Sequence, residues 1–199
     1  MRILRAVLSI ALGASTLAWA EVETWNIDPN HTAAQFSVRH MGISTVRGAF
    51  TKVSGTVQYD PAAPDKTVAE ATIDAASIDT RVERRDNDLR GPNYFDVPKY
   101  PTITFKSKRV ETAGDGKYKV IGDLTIHGVT KEVTLDVSGV SQPIKDQRGN
   151  QHIGASATTT INRRDFGVNG GGPMVGDEIS IVIDFEMVHP ASPTPTASR

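Results

Sequence analysis

The chain has 199 residues, 22 of them basic and 23 acidic, and no cysteine. That length predicts a single domain with a sizeable core. The even charge balance leaves no footprint for nucleic acid or an anionic membrane. Without thiols there are no disulfides, no thiolate metal sites and no lipid attachment through an N-terminal cysteine.

Residues 1–20 read as a secretory signal peptide. Arg2 and Arg5 form a short basic region, residues 6–14 are apolar apart from Ser9 and Gly13, and Ala18-Trp19-Ala20 fits a small-x-small cleavage site before Glu21. No later stretch is apolar for about 18 residues, so no membrane span is expected. Export without disulfides suits a bacterial periplasm. Cleavage after Ala20 leaves 20 basic against 23 acidic side chains.

Eight strands follow, over 33–40, 49–59, 68–73, 102–110, 117–126, 129–140, 152–161 and 178–188. Their signature is a period of two. Residues 117–126 put Tyr118, Val120, Leu124 and Ile126 on one face. Residues 129–140 put Val129, Val133, Leu135 and Val137 on one face and Thr130, Glu132, Thr134 and Asp136 on the other. Residues 178–188 align Ile179, Ile181, Ile183, Phe185 and Met187. His127-Gly128 fits a two-residue hairpin turn. Many antiparallel strands at this spacing imply a sandwich or a closed barrel, and eight strands can enclose a ligand.

The stretch "TRVERRDNDLRGPNYFDVPKYP", residues 80–101, breaks the pattern. Thr80-Arg81-Val82-Glu83 reads as a capping box and Gly91-Pro92 as a stop, which predicts one short helix over 81–90. The helix is mostly polar and belongs on the outside or across one end of the barrel. Residues 189–199 are rich in Pro, Ser, Thr and Ala and read as a disordered tail.

Catalytic signatures are missing: there is no Gly-x-Ser-x-Gly elbow, Walker loop, dinucleotide fingerprint or His-Glu-x-x-His, and nothing sets a nucleophile beside a base. No catalytic residue and no cofactor is assigned. His31 and His40 are nine apart and would face opposite sides of one strand, so no metal site is assigned either. His127 reads as a turn residue, and His40 as a core histidine or a polar group in a pocket. Arg85-Asp86 and Arg163-Arg164-Asp165 read either as pairs tying a loop to the barrel or as a polar rim for a ligand head group. Small inward residues such as Ala34, Ala69, Ala71, Gly122 and Gly139 leave volume inside an otherwise apolar barrel. That combination points to a pocket for an elongated lipid.

Four blocks, "WNIDPNHTAAQFSVRHMGISTVRGAF", "SIDTRVERRDNDLRGPNYFDVPKYPTITFKS", "GDLTIHGVTKEVTLDV" and "INRRDFGVN", resemble in order those of the YceI-like family. The resemblance covers residue 21 to about 188. It implies an extended, eight-stranded antiparallel barrel similar to lipocalins, whose apolar channel holds a polyisoprenoid or a related amphiphile such as an isoprenoid quinone. It implies periplasmic export and no catalytic activity. The expected channel lining is Phe36, Val38, Phe50, Tyr94, Phe95, Ile103, Phe105, Leu124, Ile126, Phe166 and Phe185. The expected polar rim is His40, Arg85, Asp86 and Arg163. The family block Arg-Asp-x-His-Leu reads Arg85-Asp86-Asn87-Asp88-Leu89 here, with Asp88 in place of the histidine. Its negative charge favours a neutral head group, a quinone ring or an amide, over a pyrophosphate. Two other readings stay open: an enzyme acting on such a molecule through Asp86 or Asp165 with a histidine, and a barrel filled by its own side chains. Either a monomer or a homodimer is compatible with this chain.

Overall fold

Alternating strands with one apolar face have to bury that face, and here they do so by curling into a ring. The computed structural model describes residues 23–60 and 62–191. The expected signal peptide lies outside the described residues, as does the expected tail from residue 192 onward. Among the described residues the strands are β1 (Glu23–Ile27), β2 (Ala33–His40), β3 (Ser44–Phe50), β4 (Val53–Tyr59), β5 (Val68–Asp74), β6 (Ile78–Asp79), β7 (Thr102–Thr112), β8 (Tyr118–Ile126), β9 (Val129–Ser138), β10 (Ile144–Lys145), β11 (Gln151–Asn162) and β12 (Val175–His189). One α-helix, α1, spans Glu83–Arg90.

Eight antiparallel strands close the barrel in the order β1-β4-β5-β7-β8-β9-β11-β12. The β11–β12 ladder runs unbroken from Gln151↔His189 to Asn162↔Glu178. β12 is long enough to serve two partners on its other edge. Its C-terminal part pairs with β1 through Met187 and Val188, and the part before it pairs with β2 from Asp184 back to Val175. β2 then pairs with β3, and β3 with β6. The wall beyond β4 and β5 is therefore completed by β2, β3, β6 and α1.

Strand direction defines two ends. The helix end carries residues 75–101, the His127-Gly128 turn and the 163–174 connection between β11 and β12. The opposite end carries the β4–β5, β7–β8 and β9–β11 connections, together with the start of β1 and the end of β12.

Several expectations shift in detail. The single strand expected over 49–59 is two. The chain breaks at Thr51-Lys52, whose N–H groups donate to the Ser77 carbonyl and hydroxyl at 3.3 and 3.1 Å. β1 was too short at five residues to stand out by alternation. The helix starts at Glu83, and the expected capping box does not form. Arg81 adopts a left-handed φ of 61°, which carries Thr80 off the helix start. Asp86 reaches back instead: its Oδ1 accepts from the Thr80 N–H at 2.9 Å and the Thr80 hydroxyl at 2.5 Å. His127-Gly128 forms the two-residue turn, with φ of 51° and 75° and Ile126 facing Val129. Gly122 does not leave a void, because a Cβ there would sit 2.6 Å from the Phe105 ring, which fills that space. Gly139 lies in a turn beyond β9, away from the barrel interior. His189 is not tail: it ends β12, opposite Gln151, with its ring 5.5 Å from that of Trp25.

Candidate functional site

The inward faces of the strands enclose a cavity of about 290 Å³ that runs most of the length of the barrel. Its wall is almost wholly apolar. β12 contributes Ile179, Ile181, Ile183, Phe185 and Met187, and this is the face that the period of two picked out. The volume comes from the strands that carry alanine inward, Ala69 and Ala71 on β5 and Ala155 and Ala157 on β11. Where a strand carries a ring, the space is filled. Phe50 packs edge-on against Phe95 at 5.4 Å and lies 5.9 Å from Phe36.

All eleven apolar positions expected from the sequence line this cavity. Leu89 of α1, with Tyr94 and Phe95 just beyond it, closes the side of the helix end. The polar face of α1 stays in solvent, and Asp88 is exposed there, away from the cavity wall.

The expected polar rim is not assembled. Arg163 reaches the cavity wall, but it is 5 % exposed and already committed to four backbone carbonyls and an ion pair. Nε donates to the Gly176 carbonyl at 2.9 Å. Nη1 donates to the Val168 and Gly170 carbonyls at 2.7 and 2.8 Å. Nη2 donates to the Val175 carbonyl at 3.0 Å and lies 3.2 Å from Asp177 Oδ1. Burial holds the guanidinium below its ordinary range, against the pull of Asp177. Arg163 thus laces the 168–177 segment across the helix end, with Phe166 (2 % exposed) and Val168 packed beneath. Arg85 and Asp86 are also tied down and do not line the cavity. Arg85 donates to the Thr80 hydroxyl and carbonyl at 2.7 and 2.8 Å, and Asp86 accepts from the same residue. His40 ends β2 and does not line the cavity.

At the opposite end the wall changes character. Tyr59 and Tyr118 line the cavity there. Burial first, and then the neighbouring Tyr118 phenol, push the Tyr59 phenol above its ordinary range. Trp25 packs with Ile153 and Met187 in the same layer. Neither Trp25 nor Tyr59 was picked out from the sequence. The signal was Trp25-x-Ile27, two inward residues on a strand of only five.

Outside the barrel, Asp28, His31 and Glu186 bring their donor atoms within 4.8 Å of one another. They are paired among themselves and with neighbours: His31 Nδ1 lies 2.8 Å from Asp28, and His152 lies 2.6 Å from Glu186 and 3.3 Å from Asp146. This group clasps the β1–β2 turn and the β10–β11 hairpin onto β12. It does not touch the cavity.

A family model described as the YceI-like domain matches residues 25–187. A UPF0312 protein of Vibrio cholerae is 34% identical over 165 residues, covering 83% of this chain and 85% of the relative. The crystal structure of Burkholderia cenocepacia BcnA superposes with a TM-score of 0.72 at 31% identity, covering 83% of this chain and 99% of that one. A polyisoprenoid binding domain from Saccharophagus degradans, implicated in plant cell wall breakdown, has a TM-score of 0.65 at 16% identity, covering 85% of this chain and all of its own. That last likeness is one of fold.

Proposed function

The chain belongs to the YceI-like domain family, and we propose from its cavity that it is a non-catalytic, periplasmic carrier of a long-chain isoprenoid amphiphile with a neutral head group. The apolar cavity is the observation that carries this reading. Each buried methylene contributes about 0.8 kcal/mol, so a long chain gains affinity from burial alone. The likeness in fold to a domain named for polyisoprenoid binding agrees with this choice of cargo.

The wall also argues for the head group. A diphosphate needs free cationic donors, and the one cation at the wall, Arg163, is already bonded to four carbonyls and paired with Asp177. Burying an unpaired anion against apolar side chains is strongly unfavourable. A quinone ring or an amide needs at most a hydrogen bond or two. The signal peptide expected over residues 1–20 supports delivery to the periplasm.

An enzyme would need an activated nucleophile or base in this wall, and among the described residues its threonine and tyrosine hydroxyls share the lining with no His, Asp, Glu, Lys or Cys. Incubating the protein with vesicles that contain an isoprenoid quinone and analysing the recovered lipid separates the readings. A carrier takes up the quinone and returns it unchanged. Chemical alteration of the lipid would make the protein an enzyme, and failure to take up any isoprenoid would sink the carrier reading.

A further inference from the structure

Trp25 is 1 % exposed, and its indole Nε1–H has no hydrogen-bond partner. Among the described residues it is the one buried side-chain nitrogen or oxygen in that condition. An indole nitrogen only donates, so no tautomer or side-chain flip relieves it. Buried polar groups are paired as a rule, and the exceptions in native proteins call for a reason.

The position of Trp25 supplies one. The indole forms a cluster with Ile153 and Met187, and Val57, Tyr59, Val140 and Phe185 pack against that cluster. Met187, Val57, Tyr59, Val140 and Phe185 also line the cavity. Trp25 therefore faces inward and touches side chains of the wall without itself lining the cavity, at the end where Tyr59 and Tyr118 bring phenols to it. Met187 is the flexible member of that cluster, and its unbranched thioether can yield space that a branched side chain could not. At the helix end Phe166 and Val168 are apolar, Arg163 is bonded to four carbonyls, and the Tyr94 phenol lies against Gly170 and Gly171.

We propose that the Trp25 Nε1–H donates a hydrogen bond to the carbonyl or hydroxyl oxygen of the bound amphiphile. Trp25 then fixes both the class of head group and its direction. The ligand carries one neutral oxygen acceptor, the head lies at the Trp25 end, and the chain runs toward Phe166. Met187 rotates aside to admit the head. This inference rests on the carrier reading above.

The test compares geranylgeraniol with the hydrocarbon of the same skeleton lacking its hydroxyl, binding each to the full chain and to Trp25→Phe. The wild type should hold the alcohol about tenfold more tightly than the hydrocarbon, and Trp25→Phe should bind the two alike. Because Trp25→Phe could fail to fold, the Trp25 indole 15N–1H resonance of the wild type gives a second readout, and it is the single indole of a chain cleaved after Ala20. It should shift downfield on adding the alcohol and stay in place with the hydrocarbon. Equal binding with an unmoved indole peak would overturn the role of Trp25 while leaving the carrier reading intact. Binding of neither molecule would overturn both.

Discussion

At the helix end of the barrel, the Arg163 guanidinium donates to four carbonyls of residues 168–176 and pairs with the Asp177 carboxylate. At the opposite end, Trp25 has one N–H group and the fold supplies none. Both residues are buried, Arg163 at 5 % and Trp25 at 1 % exposed. The difference teaches how to tell a structural polar group from one kept for a ligand. A saturated donor holds backbone together and has nothing left to offer, whereas an unsatisfied one weakens the empty protein and is relieved only when something arrives.

The comparison can be broken from either side. The largest effect is expected at Arg163. Arg163→Met leaves four carbonyls and Asp177 without their donor, and should destabilise the fold by about 3–5 kcal/mol in denaturant titration. If Arg163 instead met the ligand head group, the variant would keep its stability and lose the ligand. Next comes filling the space. Ala71→Phe puts a ring into the cavity from β5, at a stability cost of about 1–3 kcal/mol. It should abolish isoprenoid uptake in protein that is still folded by circular dichroism. Unchanged uptake would place the ligand elsewhere.

Asp86→Ala removes the acceptor for two Thr80 donors in a site only 7 % exposed. A loss of about 1–3 kcal/mol is expected. Ligand affinity should be unchanged, since Asp86 does not line the cavity. A selective loss of ligand would restore Asp86 to the site. The smallest effect concerns the clasp. Glu186 raises the His152 imidazolium above its ordinary range; burial opposes it next, and Asp146 adds to the rise. A raised folded value means that the stabilisation is complete below about pH 6.5, the unfolded value, and is lost as pH rises through the folded one. Stability measured from pH 6 upward should fall more steeply in the wild type than in His152→Gln, with no change in ligand uptake.

Most of the barrel was legible in the sequence because alternation is a local signal that survives burial. Ile179 to Met187 announce an inward face without any knowledge of what lies opposite. The apolar lining followed for the same reason, down to Tyr94 and Phe95 beyond the helix stop. Polar roles were not legible, because a charged residue's partner is chosen by tertiary geometry. In sequence Arg163 reads either as a tie to the barrel or as a rim for a head group, and only the return of residues 168–177 decides for the tie. Asp86 was paired on paper with Arg85, its neighbour in sequence, but Arg81 at a positive φ folds Thr80 back onto it instead. Trp25 stayed hidden because β1 is five residues long and an unpaired N–H leaves no mark in a sequence.

The measurement that bears most directly on the central claim is the intact mass of the protein under native conditions, taken after export and purification, followed by extraction and identification of whatever it holds. The account predicts one isoprenoid molecule per chain, with a neutral oxygen-bearing head. An empty mass, with no uptake from a mixture of isoprenoid lipids afterwards, would contradict it.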